Sequence, residues 1–227
     1  MIHLLIQESS EILTTPETSA MTLSFWELAV KGGFIMIPIF ILSIFAVYIF
    51  FERFLAIRQA SNEDPLFMDR IKDYIHAGQI EYAITLCQQT DNTISRMIEK
   101  GITRIGRPLN DINATIENLA NLEVTKLEKG LPTMATIAGA APMIGFLGTV
   151  IGMIQAFYDM ANAGSNIDVQ LLSSGIYTAM VTTVAGLTVG IIAFFAYNIL
   201  VARVERVVYR LQARATEFMD LLNEPVN

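Results

Sequence analysis

Thr149, Thr182 and Thr183 carry hydroxyls in stretches of chain that hold no Asp, Glu, Lys, Arg or His. In apolar surroundings such a hydroxyl can hydrogen-bond to a neighbouring helix or line a wet path. Proton relays within membranes usually rely on acids and histidines. None of these, and no Lys or Arg, occurs from Gly130 to Tyr158 or from Val169 to Ala202. If this chain helps ions to cross, the titrating carboxylate must come from elsewhere. The rest of the inventory is poor in reactive groups. The single Cys87 excludes an internal disulfide and a cysteine-rich zinc site, and His3 and His76 leave little for a metal. No nucleophile pairs with a base and no phosphate loop is present, so neither an enzyme nor a cofactor is expected.

The elements that must position these hydroxyls follow from composition. The chain has 227 residues, of which 53% are hydrophobic and only 16% charged, against roughly 25% charged in soluble domains. Mean hydropathy is +0.48 and the pI is near 4.8. A net charge of −7 leaves no basic surface for nucleic acid. The opening residues Met1–Gln7 lack the basic region and long apolar core of a cleaved signal peptide, so none is expected.

Three charge-free stretches set the architecture: 18 residues from Phe34 to Phe51, 29 from Gly130 to Tyr158 and 34 from Val169 to Ala202. A helix crosses the hydrocarbon core with about 20 apolar residues, so each stretch can span. The fold class expected is an all-α membrane protein with three transmembrane helices. The second and third extend into the cytoplasm, where a helical domain adjoins them. The expected organisation is an outer N-terminal segment at 1–32, spans at 33–52, 130–158 and 169–202, a cytoplasmic helical domain at 53–129, an outer loop at 159–168 and a cytoplasmic C-terminal helix at 203–227.

Orientation follows from the basic residues. Of the 15, only Lys31 precedes the first span, and the other 14 lie between spans one and two or after span three. The N-terminus is therefore expected outside and the C-terminus inside. Between the spans, Gly78 and Gly106-Arg107-Pro108 punctuate stretches with helical spacing such as Ile112, Ile116 and Leu119. Leu23–Leu28, with Trp26, reads either as a segment lying along the outer interface or as a plain linker.

The spans differ in texture. The first is bulky almost all round, and is expected to face lipid over much of its circumference. On the second, Ala138, Ala141, Pro142, Gly145, Gly148, Thr149, Gly152 and Ala156 share a side at helical spacing. On the third, Gly175, Ala179, Thr182, Thr183, Gly186, Gly190 and Ala193 do so. Small faces permit close helix approach. They suit either packing within one subunit or a homo-oligomer whose small faces surround a central element; two such faces exceed what three helices need, which favours the oligomer.

The run Ala141-Pro142-Met143-Ile144-Gly145-Phe146-Leu147-Gly148-Thr149-Val150-Ile151-Gly152-Met153 resembles the second-span signature of the ExbB/TolQ/MotA ion-channel family. The run Gly175-Ile176-Tyr177-Thr178-Ala179-Met180-Val181-Thr182-Thr183-Val184-Ala185-Gly186-Leu187 resembles its third-span signature, and Lys126–Pro132 and Lys100–Leu109 resemble the ExbB branch. Three spans match ExbB and TolQ, whereas MotA has four. The resemblance implies a pentameric inner-membrane subunit of a motor driven by the ion gradient. It also implies a partner: two copies of a single-span ExbD-like or TolR-like protein, whose membrane aspartate carries the ion and which passes force to TonB or to the cell-envelope machinery. By motif, Thr149 and Thr183 match the family's pore threonines and Pro142 its proline. Thr178 stands where many relatives have glutamate. With Thr149, Thr182 and Thr183 it supplies hydroxyls that can help to coordinate a hard cation, which leaves Na⁺ open beside H⁺. The branch, TonB-linked or Tol-linked, also stays open.

Three smaller readings complete the sequence. His76 is expected at a helix end on the surface, and Cys87 in core packing. The series Arg203, Arg206, Arg210 and Arg214 is a topology signal with phospholipid headgroup contact, or a contact for the partner's tail.

Overall fold

The computed structural model describes residues 32–61, 64–90, 92–162 and 169–224. The segment with Trp26, and all but Gly32 of the expected outer segment, lie outside these residues, as does most of the 159–168 loop. Among the described residues the secondary structure is helical throughout: α1 (Met36–Ala60), α2 (Phe67–His76), α3 (Ile80–Thr90), α4 (Thr93–Ile102), α5 (Leu109–Glu128), α6 (Leu131–Asn162) and α7 (Val169–Asn223).

Three of these helices carry segments long and apolar enough to cross a membrane: α1, α6 and α7. Their lengths go beyond the charge-free stretches. α1 continues past Glu52 and Arg53 to Ala60, because a charge at the membrane edge does not end a helix. α7 has 55 residues in one piece. At 1.5 Å per residue that is about 82 Å, against about 30 Å of hydrocarbon, so most of its length must stand outside the membrane. Neither Gly nor Pro occurs from Ile191 to Asn223, and α7 passes Arg203 without a break. The C-terminal helix expected at 203–227 is the same helix as the third span.

Helix α6 does break from its predecessor. Gly130 takes φ +86°, a left-handed conformation open to glycine at little cost, and this turn separates α5 from α6. In the domain formed by α2 to α5, Asn92 caps α4. The Ser95 N–H donates to Asn92 Oδ1 at 2.7 Å, and the Asn92 N–H donates back to Ser95 Oγ at 2.9 Å, a reciprocal box that satisfies two otherwise orphaned donors.

Packing runs along α7. At one end α6 lies against it. At the other, the buried Val204, Val207, Leu211 and Phe218 meet a core that includes Met97, Ile98, Ile102, Ile112 and Ile116 from α4 and α5. Cys87 is in this core at 1% exposure, and burial first, then the nearby Glu99 charge, pushes its thiol up to about 12. His76 ends α2 with Nε2 3.5 Å from Glu224.

Helix α1 buries Ile39, Ala46, Ile49 and Ile57 and leaves Phe40, Ile44, Phe45, Tyr48 and Phe51 exposed, as is Phe34 just before it. Met143, Phe146 and Ile154 on α6 are exposed likewise, as are Met180, Val184, Ile192 and Phe195 on α7. Apolar surface this extensive is unsuited to water and suited to lipid or to other helices.

Candidate functional site

The two small faces meet each other. A methyl added at Gly145 would lie 2.8 Å from the Thr182 carbonyl oxygen, and one at Gly186 would lie 2.5 Å from the Ala141 carbonyl oxygen. One at Gly152 would come 3.0 Å from Ala179 Cβ, and one at Gly175 would come 2.5 Å from Ala156 Cβ. Gly148 lies under the Thr182 side chain and Gly190 under the Pro142 ring. The face expected to surround a central element is therefore filled within the chain, by α6 on α7. Small residues let the backbones close in, and dispersion over a long contact then holds them. Any surface offered to other chains must come from the flanks.

Pro142 helps to shape this contact. It has no N–H, so within α6 the Ala138 carbonyl lacks its usual partner. That oxygen would lie 3.0 Å from a Cβ at Gly190, so only glycine leaves room for it.

The hydroxyls divide by position. Thr182 is buried at 1% exposure, and its Oγ1 donates to Ala179 O at 2.8 Å and, more weakly, to Gly145 O at 3.4 Å. It belongs to the packing. Thr183, half-buried, donates across the contact to Gly145 O at 3.1 Å. Thr149, also half-buried, donates within its own helix to Phe146 O at 2.6 Å. Thr183 lines a shallow apolar groove with Pro142, Phe146, Leu147, Val150 and Leu187. Thr149 follows Pro142 by seven residues and Phe146 by three, which places it on the same flank. Each hydroxyl has one proton, and both protons are committed to carbonyls. What remains are oxygen lone pairs, able to accept from water or hydronium or to approach a cation.

Thr178 is not brought to that flank. It precedes Val181 by three residues and Ala185 by seven, and both of these line the cleft facing α1. Five residues before Thr183, it stands about 140° around α7. Arg203, Arg206 and Arg210 lie farther still, Arg203 about 30 Å along α7 from Thr183.

A charged cluster escaped the sequence reading. Glu123, 4% exposed in α5, accepts from Arg96 Nη2 and from Lys126 Nζ, each at 2.7 Å. Burial opposes ionisation of this carboxyl, but the hydrogen bonds and charges of Arg96 and Lys126 outweigh it and hold Glu123 below the usual carboxylate range. The Glu123/Lys126 spacing was legible; the burial, set by α4, was not. The cluster joins α4 to α5, a structural task.

Residues 89–213 match the MotA/TolQ/ExbB proton channel family. The chain is 28% identical over 176 residues to the biopolymer transport protein ExbB homologue of Methanothermobacter thermautotrophicus, covering 77% of this chain and 62% of that one. It is 31% identical over 180 residues to the biopolymer transport protein ExbB-like 1 of Synechocystis, covering 76% and 68%. With the Tol-Pal system protein TolQ of Pseudomonas aeruginosa it shares 26% identity over 220 residues, covering 90% and 94%. The chain thus spans less than two thirds of the length of the first of these relatives.

Proposed function

Since the chain belongs to the MotA/TolQ/ExbB proton channel family, we propose that it is the multi-span subunit of a gradient-driven energiser in the bacterial inner membrane. In this reading several copies, five by resemblance to the family, surround a dimer of a single-span ExbD-like or TolR-like protein. That partner supplies the carboxylate, and the assembly does work on a TonB-like protein for import across the outer membrane. In this reading the N-terminus lies outside and residues 53–129 and 203–227 lie in the cytoplasm, an orientation supported by the 14 of 15 basic residues that fall in those two segments. Labelling of Ser165→Cys by an impermeant reagent in whole cells checks the orientation, and labelling only after lysis contradicts it.

The observation that carries the reading is an acid-free helix pair with Thr183 in the groove of one flank, the flank to which helical spacing also assigns Thr149. Their protons are spent on carbonyls, so they offer acceptors to water or to an ion beside the partner's carboxylate. Each unit charge that crosses makes available about 2.3 kcal/mol per 100 mV, and conduction without the partner would waste it. Thr→Val keeps the shape and removes the hydroxyl. The Thr149→Val/Thr183→Val double variant is expected to copurify with the partner at wild-type stoichiometry while losing gradient-driven uptake. Retained uptake would make these two hydroxyls packing residues. Thr178→Val, on another face, is expected to have the smaller effect.

A second reading, a Tol-linked subunit acting on envelope integrity, draws on the TolQ relative, which aligns over 94% of its length. Complementation of strains lacking either system separates the two.

A further inference from the structure

A cleft of about 690 Å³ opens between the end of α1 and the continuation of α7, and Arg58, Arg203, Arg206 and Arg210 line it. The guanidinium carbon of Arg203 lies 4.2 Å from the centroid of the Phe54 ring, a cation–π contact that orients the charge without neutralising it. Arg210 Nη1 donates to the Ser61 carbonyl at 2.8 Å and to Ser61 Oγ at 3.0 Å. Among the described residues, Arg206 donates from its Nε to the Ala202 carbonyl at 3.4 Å, within its own helix. Among the described residues, none of these four arginines pairs with a carboxylate, whereas Arg53, Arg70, Arg96 and Arg214 each do. Like charges gathered on one cleft repel, and guanidinium forks match the oxygens of a phosphate. An anion with several oxygens resolves both.

Depth identifies its source. The charge-free run of α1 ends at Phe51, and Glu52 and Arg53 follow. Three residues beyond Phe51, Phe54 stands about 4 Å outside the hydrocarbon, and Ser61 stands about 15 Å outside it. The headgroup layer fills roughly the first 5–8 Å on each side. The cleft therefore begins at headgroup depth and opens toward water, with the apolar side chains of Leu55 and Ile57 in its wall.

We propose that this cleft is a phosphate site occupied by the headgroup of an anionic phospholipid, which thereby ties α1 to α7 at the membrane surface. The site depends on the membrane reading of α1 and not on ion conduction, so it stands even if the threonine flank carries no ion.

The test uses the full chain in nanodiscs of mixed phosphatidylglycerol and phosphatidylcholine, with retained lipid counted by native mass spectrometry. The wild type is expected to enrich phosphatidylglycerol several-fold over the disc composition. Arg206→Gln, whose hydrogen bond to the Ala202 carbonyl lies within α7, should lower that enrichment, and Arg203→Gln/Arg206→Gln should abolish it at unchanged elution volume. Arg203→Lys/Arg206→Lys should keep part of it. Unchanged enrichment in Arg206→Gln and in a folded double Gln variant would overturn the site. Displacement of the retained lipid by inorganic phosphate, with equal thermal stabilisation, would overturn the lipid source and assign the cleft to a soluble phosphate.

Discussion

The Thr183 hydroxyl donates to the carbonyl oxygen of Gly145 at 3.1 Å, across the contact between α6 and α7. Neighbouring Thr182 reaches the same oxygen at 3.4 Å from the buried side. One carbonyl thus stands between a hydroxyl sealed in the packing and a hydroxyl at its edge. Two adjacent threonines with the same chemistry are given different work by about 100° of helical rotation.

That division predicts different outcomes for the same substitution. Thr182→Val removes a buried donor from an interhelical contact and is expected to cost about 0.6–1.7 kcal/mol. Thr149→Val removes a bond within its own helix and should leave stability close to wild type. Unfolding in mixed detergent micelles measures both. Equal losses would show that burial does not separate the two residues.

Glycines in α6 and α7 are expected to differ in the same way. At Gly186 an added methyl meets the Ala141 carbonyl oxygen at 2.5 Å and Gly145 Cα at 2.8 Å, which are backbone atoms unable to step aside. Gly186→Ala is expected to destabilise the helix pair by about 1–3 kcal/mol. At Gly139 an added methyl meets nothing within 4 Å, and Gly139→Ala should be neutral or gain about 0.5–1 kcal/mol from helix propensity. The same unfolding measurement compares them.

Glu123 predicts a pH dependence. Its folded-state ionisation lies below the ordinary carboxylate range, so the stability it contributes is fully present above the unfolded-state value. That contribution is lost as pH falls through the folded-state value. Arg96 and Lys126 are 42% and 60% exposed, against 5% for the Glu123 side chain. Water can therefore take up the two cations, and Glu123→Gln is expected to cost only about 1–2 kcal/mol at neutral pH. The gap between wild type and variant should close on acidification. A gap that stays constant into strong acid would contradict the pairing.

The far end of α7 predicts a local effect. Phe218 is fully buried, and its Cε1 lies 2.6 Å from where a Cβ on Gly101 would sit. Phe218→Ala is expected to cost about 3–5 kcal/mol and to raise hydrogen exchange in α4 and α5. Exchange in α1 should not change. Uniformly raised exchange would mean that the helical domain and the membrane helices unfold as one unit.

Charge-free runs and helical spacing determine by themselves that three helices can cross a membrane, because the hydrocarbon core admits only segments that satisfy their own backbone. The absence of Gly and Pro from Ile191 to Asn223 likewise lets one read a long helix. The paired small faces, too, were legible as faces. What each face touches was not, since Gly145 packs against Gly186 only through the antiparallel register of α6 on α7, whereas the sequence reading favoured contact between chains. The same limit applied to Thr178, which shares its residue type with Thr183 but stands on the side facing α1. It applied also to Glu123 and to the arginine cleft, whose members are local in charge but joined by contacts between residues as distant as Ser61 and Arg210. Periodicity along one helix is a local property that sequence carries directly; which helix lies across from it is settled only when backbones approach and exclude the alternatives.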